Sequence, residues 1–319
     1  VSEALESEPT AGLADVFVAP GRVRRGVVRS ALRSPAALFG LAVLVFFVAV
    51  AILAPYIAPY GEHEKVGEPF ESPSWSHPLG LDDAGVDMLT LMMWGARVSL
   101  LVGFAAALVT MIIGGVVGVL AGYRGGKTDT VLMRTTDYFL VIPDIPLMLV
   151  AAAIWGRNLS NIIIIIGVIY WTTTARIVRA QVKSLRERVF VKRAYALGAG
   201  HTRVVFRHIL PQVAPLLISI TVLSVAFAIF AETAIAFLGL GDPTLTSWGK
   251  LIQNAFAGSA ITVGAWWAIV PPGVAVALVI VACTMLGRSL EDALNPRLRV
   301  GHLSVRRFRL RSVPREAGD

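Results

Sequence analysis

The stretch "AGYRGGKTD", Ala121 to Asp129, carries the residue types of a nucleotide-binding loop: Ala121, then Gly126, Lys127 and Thr128. Such a loop works when a strand delivers a glycine-rich turn to a helix N-terminus, where backbone N–H groups cradle phosphates. Here the preceding residues, "MIIGGVVGVL", are apolar without strand alternation, and "NIIIIIGVIYW" ends in Thr rather than in an acidic metal-binding partner. The glycine pair therefore reads as a tight turn after a helix, flanked by Arg124 and Lys127. ATP hydrolysis by this chain is not expected.

Other chemistry-bearing residues are sparse. The five histidines, at positions 63, 77, 201, 208 and 302, all fall outside the apolar runs, and Cys283 stands alone. No disulfide, metal set or nucleophile–base set at membrane depth is expected, which argues against an intramembrane enzyme. Ionisable residues inside apolar runs are costly and are functional candidates. Arg134 and Asp137 lie three apart and are expected to pair with each other. Asp144 sits between Pro143 and Pro146 with no cation near it in sequence. It suits either a polar path or an interhelical hydrogen bond. Glu232 suits an outer gate or a helix interface.

The elements that carry these residues follow from composition. Hydrophobic residues make up 55% and charged ones 16% of the chain, with a mean hydropathy of +0.70. A soluble domain carries about a quarter charged residues, so an all-α polytopic membrane protein is expected. A span needs roughly 20 apolar residues to cross a hydrocarbon core of about 30 Å. Six stretches qualify, at about 36–57, 98–122, 131–155, 159–175, 213–235 and 266–286. The third is interrupted by Pro143, Asp144 and Pro146, and the fourth is short. Residues 1–35 form an N-terminal segment with no apolar signal-like run. Residues 36–97 hold the first span and an outer loop, 98–290 the core, and 291–319 a basic tail.

Basic residues orient the spans, because positive flanks stay on the cytoplasmic side. With the N-terminus inside, all but Lys65, Arg97, Arg157 and Lys250 of the 29 Lys and Arg fall on inner segments. Both termini are expected in the cytoplasm. This placement also accounts for the net charge of +8 without nucleic acid. The paired Trp266 and Trp267 fit an anchor at the outer interface.

The stretch "RERVFVKRAYALGAGHTRVVFRHILPQ", Arg186 to Gln212, is patterned as helix, glycine break, helix, span. Phe190, Ala194 and Leu197 recur as one apolar face, with Arg186, Lys192 and Arg193 off it. Gly198 supplies the stop. A second short run follows over 202–208, containing Arg203, and Pro211 fits the first turn of the next helix. Two readings fit this pattern: an interfacial loop touching anionic lipid, and a docking element for a soluble partner.

The same stretch resembles the cytoplasmic "EAA" loop of ABC-importer permease subunits. Ala194, Gly198, Phe206, Arg207, His208, Ile209, Leu210 and Pro211 match its pattern. Lys192 departs from the usual Glu and Arg193 from the common Ala, so any salt bridge made by that Glu is absent or reversed. "HPLGLDDAGVDMLTLMMWGARVSLLVG" and "GYRGGKTDTVLMRTTDYFLVIP" are similar to C-type dipeptide/oligopeptide permeases, as are "ETAIAFLGLGDPTLTSWG" and the last span with its exit. Gly122, Gly125, Gly126, Asp129, Arg134 and Asp137 have family equivalents, whereas Val86 and Leu91 stand where Arg is frequent. The likeness runs from about Ala36 to Arg299.

The resemblance implies a type I ABC-importer permease fold in a prokaryotic inner membrane, and a chain that performs no catalysis and binds no cofactor. ATP and Mg²⁺ would sit on two ATP-binding subunits; a second related permease and an extracytoplasmic binding protein would complete the complex. The helix after Arg186 would be the coupling helix, with Gly198 and Pro211 at its two corners. Asp144 and Glu232 become candidates for the translocation path or a gate. The implied cargo is a di- or oligopeptide, with nickel or glutathione as alternatives. A passive channel remains the different-class reading, though it has little use for such a loop.

Overall fold

Helix starts and stops in this chain are set by a few polar and proline residues. The computed structural model describes residues 34–294, and every regular element within them is helical. The N-terminal segment before residue 34 and the basic tail beyond 294 lie outside the described residues.

Helix α1, Pro35–Ile57, begins on a proline, whose missing N–H is not needed in a first turn. Helix α2, Met88–Arg124, starts well before the apolar run at Val98 because Asp87 caps it. The Asp87 carboxylate accepts the Thr90 N–H and hydroxyl at 2.8 and 2.9 Å, and lies 3.1 Å from His77 Nδ1. Val86 and Leu91 are both buried in the main apolar cluster, which explains why apolar residues serve there. Further on come α3, Gly126–Val141, and α4, Asp144–Trp155. Helix α5 spans Leu159–Arg186, and the short α6 spans Val189–Ala196. A further turn, α7, His201–Val204, runs through a π-helical segment, Val205–Ile209, into α8, Leu210–Phe237. Helices α9, Trp248–Ala257, and α10, Val270–Leu294, complete the chain.

Five helical runs are long and apolar enough to cross a membrane: α1, α2, α5, His201–Phe237 and Trp266–Ala293. The remaining expected span, the third, is not straight. Helices α3 and α4 form a pair bent by 88°. The bend follows from Ile142-Pro143: a residue before proline is pushed out of the helical region, and Ile142 sits at φ −81°, ψ 128°. The fourth span, expected to end near Ala175, continues as helix to Arg186. Its basic residues therefore extend a rigid rod.

Exposed Leu101, Phe104, Leu108, Ile112, Val116 and Leu120 form a continuous apolar stripe on α2. At about 1.5 Å rise per residue it measures roughly 28 Å, close to a hydrocarbon core. On the opposite face α2 packs against α5 through glycines four apart. A Cβ on Gly114 would lie 2.7 Å from Trp171 O; on Gly118, 2.6 Å from Ala175 O; on Gly122, 2.8 Å from Arg179 O. Only hydrogen fits there. Small residues let backbones touch where lipid removes the hydrophobic drive between helices. Gly167 of α5 reciprocates, since a Cβ there would strike Val109.

The seam predicts an asymmetry between adjacent glycines. Gly115 leaves room for a methyl, with Leu217 at 3.6 Å as its nearest neighbour. Gly118→Ala should cost about 1–3 kcal/mol through overpacking, whereas Gly115→Ala should be close to neutral. Thermal unfolding of the two purified variants checks this; equal midpoints would contradict the seam.

Candidate functional site

The basic end of the bundle is built from the ends of α2, α5 and α8 with α6 laid across them. Val191 and Ala194 of α6 are buried against Val178, Val182, Leu185, Val204, Ile209 and Val213, with Phe190 partly buried beside them. The inward stripe is thus Phe190, Val191 and Ala194. Leu197, expected on that stripe, is instead 88% exposed. The reason is the helix end. Gly198 N–H donates to Tyr195 O at 2.9 Å and Ala199 N–H to Ala194 O at 3.0 Å, the paired bonds of a Schellman stop. Gly198 holds φ +79°, and the reversal turns Leu197 outward. Lys192 and Arg193 are exposed on the same element.

The run after the glycine break also departs from expectation. Residues 202–208 are not a separate helix; His201–Phe237 is continuous. Pro211 therefore marks no corner. Its missing N–H falls just after the π segment, in which Leu210 N–H reaches back to Val205 O. Arg203, Phe206, Arg207 and Pro211 are exposed along this run, and Leu210 is half-buried. The half-buried His208 has its ring centroid 6.5 Å from that of Phe190.

Across the break lies a clasp that periodicity does not reveal. The hydroxyls of Tyr123 and Tyr195 meet each other, and both reach His201 Nδ1, at 2.9 and 3.1 Å. The clasp joins the end of α2, the end of α6 and the start of α7. Arg186 adds a bond from Nη1 to Tyr123 O at 3.1 Å. Tyr123 is far in sequence from its partners, and no spacing rule pairs it with them.

The residues of the nucleotide-loop pattern have other tasks. Gly125 and Gly126 take φ +66° and +53° and turn the chain from α2 into α3. Asp129 accepts Arg179 through both Nε and Nη2, and Lys183 Nζ at 3.3 Å. Asp137 pairs with Arg176 of α5, not with Arg134 as its spacing suggested. Helix α3 folds back along α5, so the cation from the facing helix reaches Asp137. Arg134 is exposed.

Between the α3–α4 break, α5 and α8 lies a cavity of about 500 Å³. Asp144, at the break itself, lines it with Tyr170, Thr172, Thr173 and Thr174 of α5, Ser224 and Phe227 of α8, and Glu291. Glu232 lies elsewhere, buried at 4% exposure, where it accepts the Ser99 hydroxyl at 3.2 Å. Ser99 Oγ in turn accepts the Trp248 N–H at 3.1 Å, so this group ties α2, α8 and α9 together. The tryptophan pair divides its roles: Trp266 is exposed, whereas Trp267 donates to Leu81 O at 3.2 Å and braces the 58–87 loop. Among the described residues no His, Cys, Asp or Glu group has the arrangement of a metal site.

Residues 114–300 match the family model of the binding-protein-dependent transport system inner membrane component. The chain belongs to this family of ABC-importer permeases. Residues 24–69 also match the N-terminal transmembrane domain of oligopeptide transport permease C. A Brucella suis biovar 1 protein, provisionally named a peptide transport system permease, is 38% identical over 265 residues, 82% of this chain and 88% of that one. The dipeptide transport system permease protein DppC of Bacillus subtilis is 34% identical over 265 residues, 82% of each chain. The oligopeptide permease OppC of the same organism is 33% identical over 265 residues, 82% of this chain and 86% of that one. Permeases of this family are membrane subunits of larger transport complexes, and the fold described above is the type I importer permease fold.

The two carboxylates that hold α3 of the permease to α5 differ in weight. The Asp129 side chain is 11% exposed and carries two cations, whereas Asp137 is 46% exposed with one. Exposed pairs contribute about 0–1 kcal/mol, and hydrogen bonds to charged groups about 1.5–3 kcal/mol. Asp129→Ala should therefore lower the unfolding midpoint in detergent clearly more than Asp137→Ala. The reverse order would contradict this account.

Proposed function

We propose that the chain is one membrane subunit of an ATP-driven importer of di- or oligopeptides, and that it couples hydrolysis on partner subunits to passage of the peptide. The complex contains a second related permease, two ATP-binding subunits holding ATP and Mg²⁺, and an extracytoplasmic binding protein. The basic end and both termini lie in the cytoplasm in this reading, which the distribution of Lys and Arg supports.

The observation that carries this reading is mechanical. The elbow around α6 joins two rods, α5 and His201–Phe237, and both line the cavity beside Asp144. A push on α6 reaches the cavity wall through these rods, because α6 packs against both of them and the clasp of Tyr123, Tyr195 and His201 ties across the break at 197–200. A passive channel has no need of such a lever. Coupling requires an element with discrete arrangements that a partner can bias. The exposed Lys192, Arg193 and Leu197 offer the partner its contact.

A peptide suits the cavity. Its hydroxyl-bearing residues can exchange hydrogen bonds with a peptide backbone, and the Asp144 carboxylate can meet an ammonium group. The names borne by the relatives point to the same cargo.

Two outcomes test the reading in the reconstituted complex. Gly198→Val forces a β-branched residue into the left-handed region, costing about 1–2 kcal/mol or more, while a Cβ at that position meets nothing within 4 Å. Membrane insertion should be normal, and ATP hydrolysis should proceed without matching peptide uptake. Wild-type transport at normal abundance would count against the lever. Leu197→Cys should crosslink to a cysteine on the ATP-binding subunit. For the cargo, Asp144→Asn should slow peptide uptake about tenfold, the equivalent of about 1.4 kcal/mol, with capture by the binding protein unchanged.

A further inference from the structure

Beside the clasp, the ends of α2, α5 and α6 enclose an open pocket of about 730 Å³. Its charged walls are Arg124, Arg186 and Lys192, and its single acid is Glu187. Arg186 is pre-oriented by its bond to Tyr123 O. The Glu187 carboxylate already spans two of the cations, with Oε1 3.3 Å from Arg186 Nε and Oε2 3.5 Å from Lys192 Nζ. Both contacts are long for charge-assisted bonds, which run about 2.7–2.9 Å. Glu187 is also 62% exposed, so water screens the pairing. The site thus holds a carboxylate of its own loosely, with cationic capacity left over.

We propose that this pocket is a carboxylate-binding site that takes an acidic side chain of the ATP-binding subunit in place of Glu187. The inference rests on the docking reading above and adds the polarity of the contact: cation on the permease, anion on the ATPase. Lys192 belongs to α6, the element exposed for docking, so a subunit seated on Leu197 and Arg193 also closes this pocket. An anionic lipid headgroup is disfavoured by position. Arg186 lies seven residues beyond Arg179 on α5, about 10 Å further along the rod, and the cations nearer the apolar stripe, Arg179 and Lys183, are already held by Asp129. Burial of the new pair by the docked subunit would strengthen it by excluding water.

The test uses the full complex in nanodiscs. Lys192 is exposed, so Lys192→Glu should leave abundance and folding unchanged while lowering coupled transport about tenfold or more. Glu187→Gln removes the competing carboxylate and should retain full coupling. One Asp→Lys or Glu→Lys change on the ATP-binding subunit, near the site that crosslinks to Leu197→Cys, should restore the Lys192→Glu complex. Wild-type transport by Lys192→Glu overturns the proposal, as does a defect that no acidic-to-Lys change restores. A defect that follows the phosphatidylglycerol content of the nanodisc assigns the pocket to lipid and equally overturns it. If Leu197→Cys crosslinks while Lys192→Glu is silent, docking stands and only the polarity fails; loss of the crosslink itself sinks the docking reading.

Discussion

Backbone contact between α2 and α5 is the constraint on which the basic end depends. With Gly114, Gly118 and Gly122 against Trp171, Ala175 and Arg179, the two helices cannot separate, slide or rotate without opening a void or a clash. That fixed register decides which cations face which acids. It brings Arg179 and Lys183 to Asp129 after the Gly125–Gly126 turn, and Arg186 to the Tyr123 carbonyl. It also sets the Tyr123 hydroxyl where α6 and α7 can close on it. Sterics fix the frame, and polar bonds then position the elbow within it.

The chemistry of the contacts changes along the molecule. At the glycine seam nothing can rearrange cheaply, because packed interiors resist small deformation. At the basic end the bonds are ionic or phenolic, and several are water-exposed. Such bonds can exchange partners at small cost. The 58–87 loop is of a third kind. It contains only isolated β-bridges and is braced by capping bonds to Asp82 and Asp87 and by Trp267. At Asp82 burial disfavours the charge and raises the pKa, partly offset by N–H bonds from Val86 and Ala84. The loop is held by local geometry more than by packing.

Much of this was legible in the residues. Long apolar runs carry their own signal, so the existence of the straight spans, though not their full lengths, the glycine stop at 198 and the turn at 125–126 followed from pattern. What failed were matters of direction and partner. Spacing offered Arg134 to Asp137, but α3 lies along α5 and Arg176 is nearer; local sequence cannot rank a neighbour on another helix. Leu197 fitted the apolar period of α6, yet the Schellman reversal begins at that residue and turns it out. Pro211 does stand in the first turn of α8, but the helical run is unbroken before it, so it marks no corner. The Tyr123–Tyr195–His201 clasp left no periodic trace, because it joins three elements through single atoms.

The broken span deserves the same physical reading as the elbow. A continuous helix satisfies its own backbone, and a break at membrane depth leaves carbonyls and N–H groups that lipid cannot serve. Such breaks persist where they are buried in protein or line a polar cavity. Here the break at Ile142-Pro143 opens onto the cavity, and Asp144 accepts the Ile145 N–H at 2.9 Å at the new helix start. The prolines that prevent a straight crossing thus place a carboxylate on the cavity wall. That spot faces α5 and His201–Phe237, the two rods that meet at the elbow. The cavity thus lies between a broken span and two rods, one of which the glycine seam locks to α2.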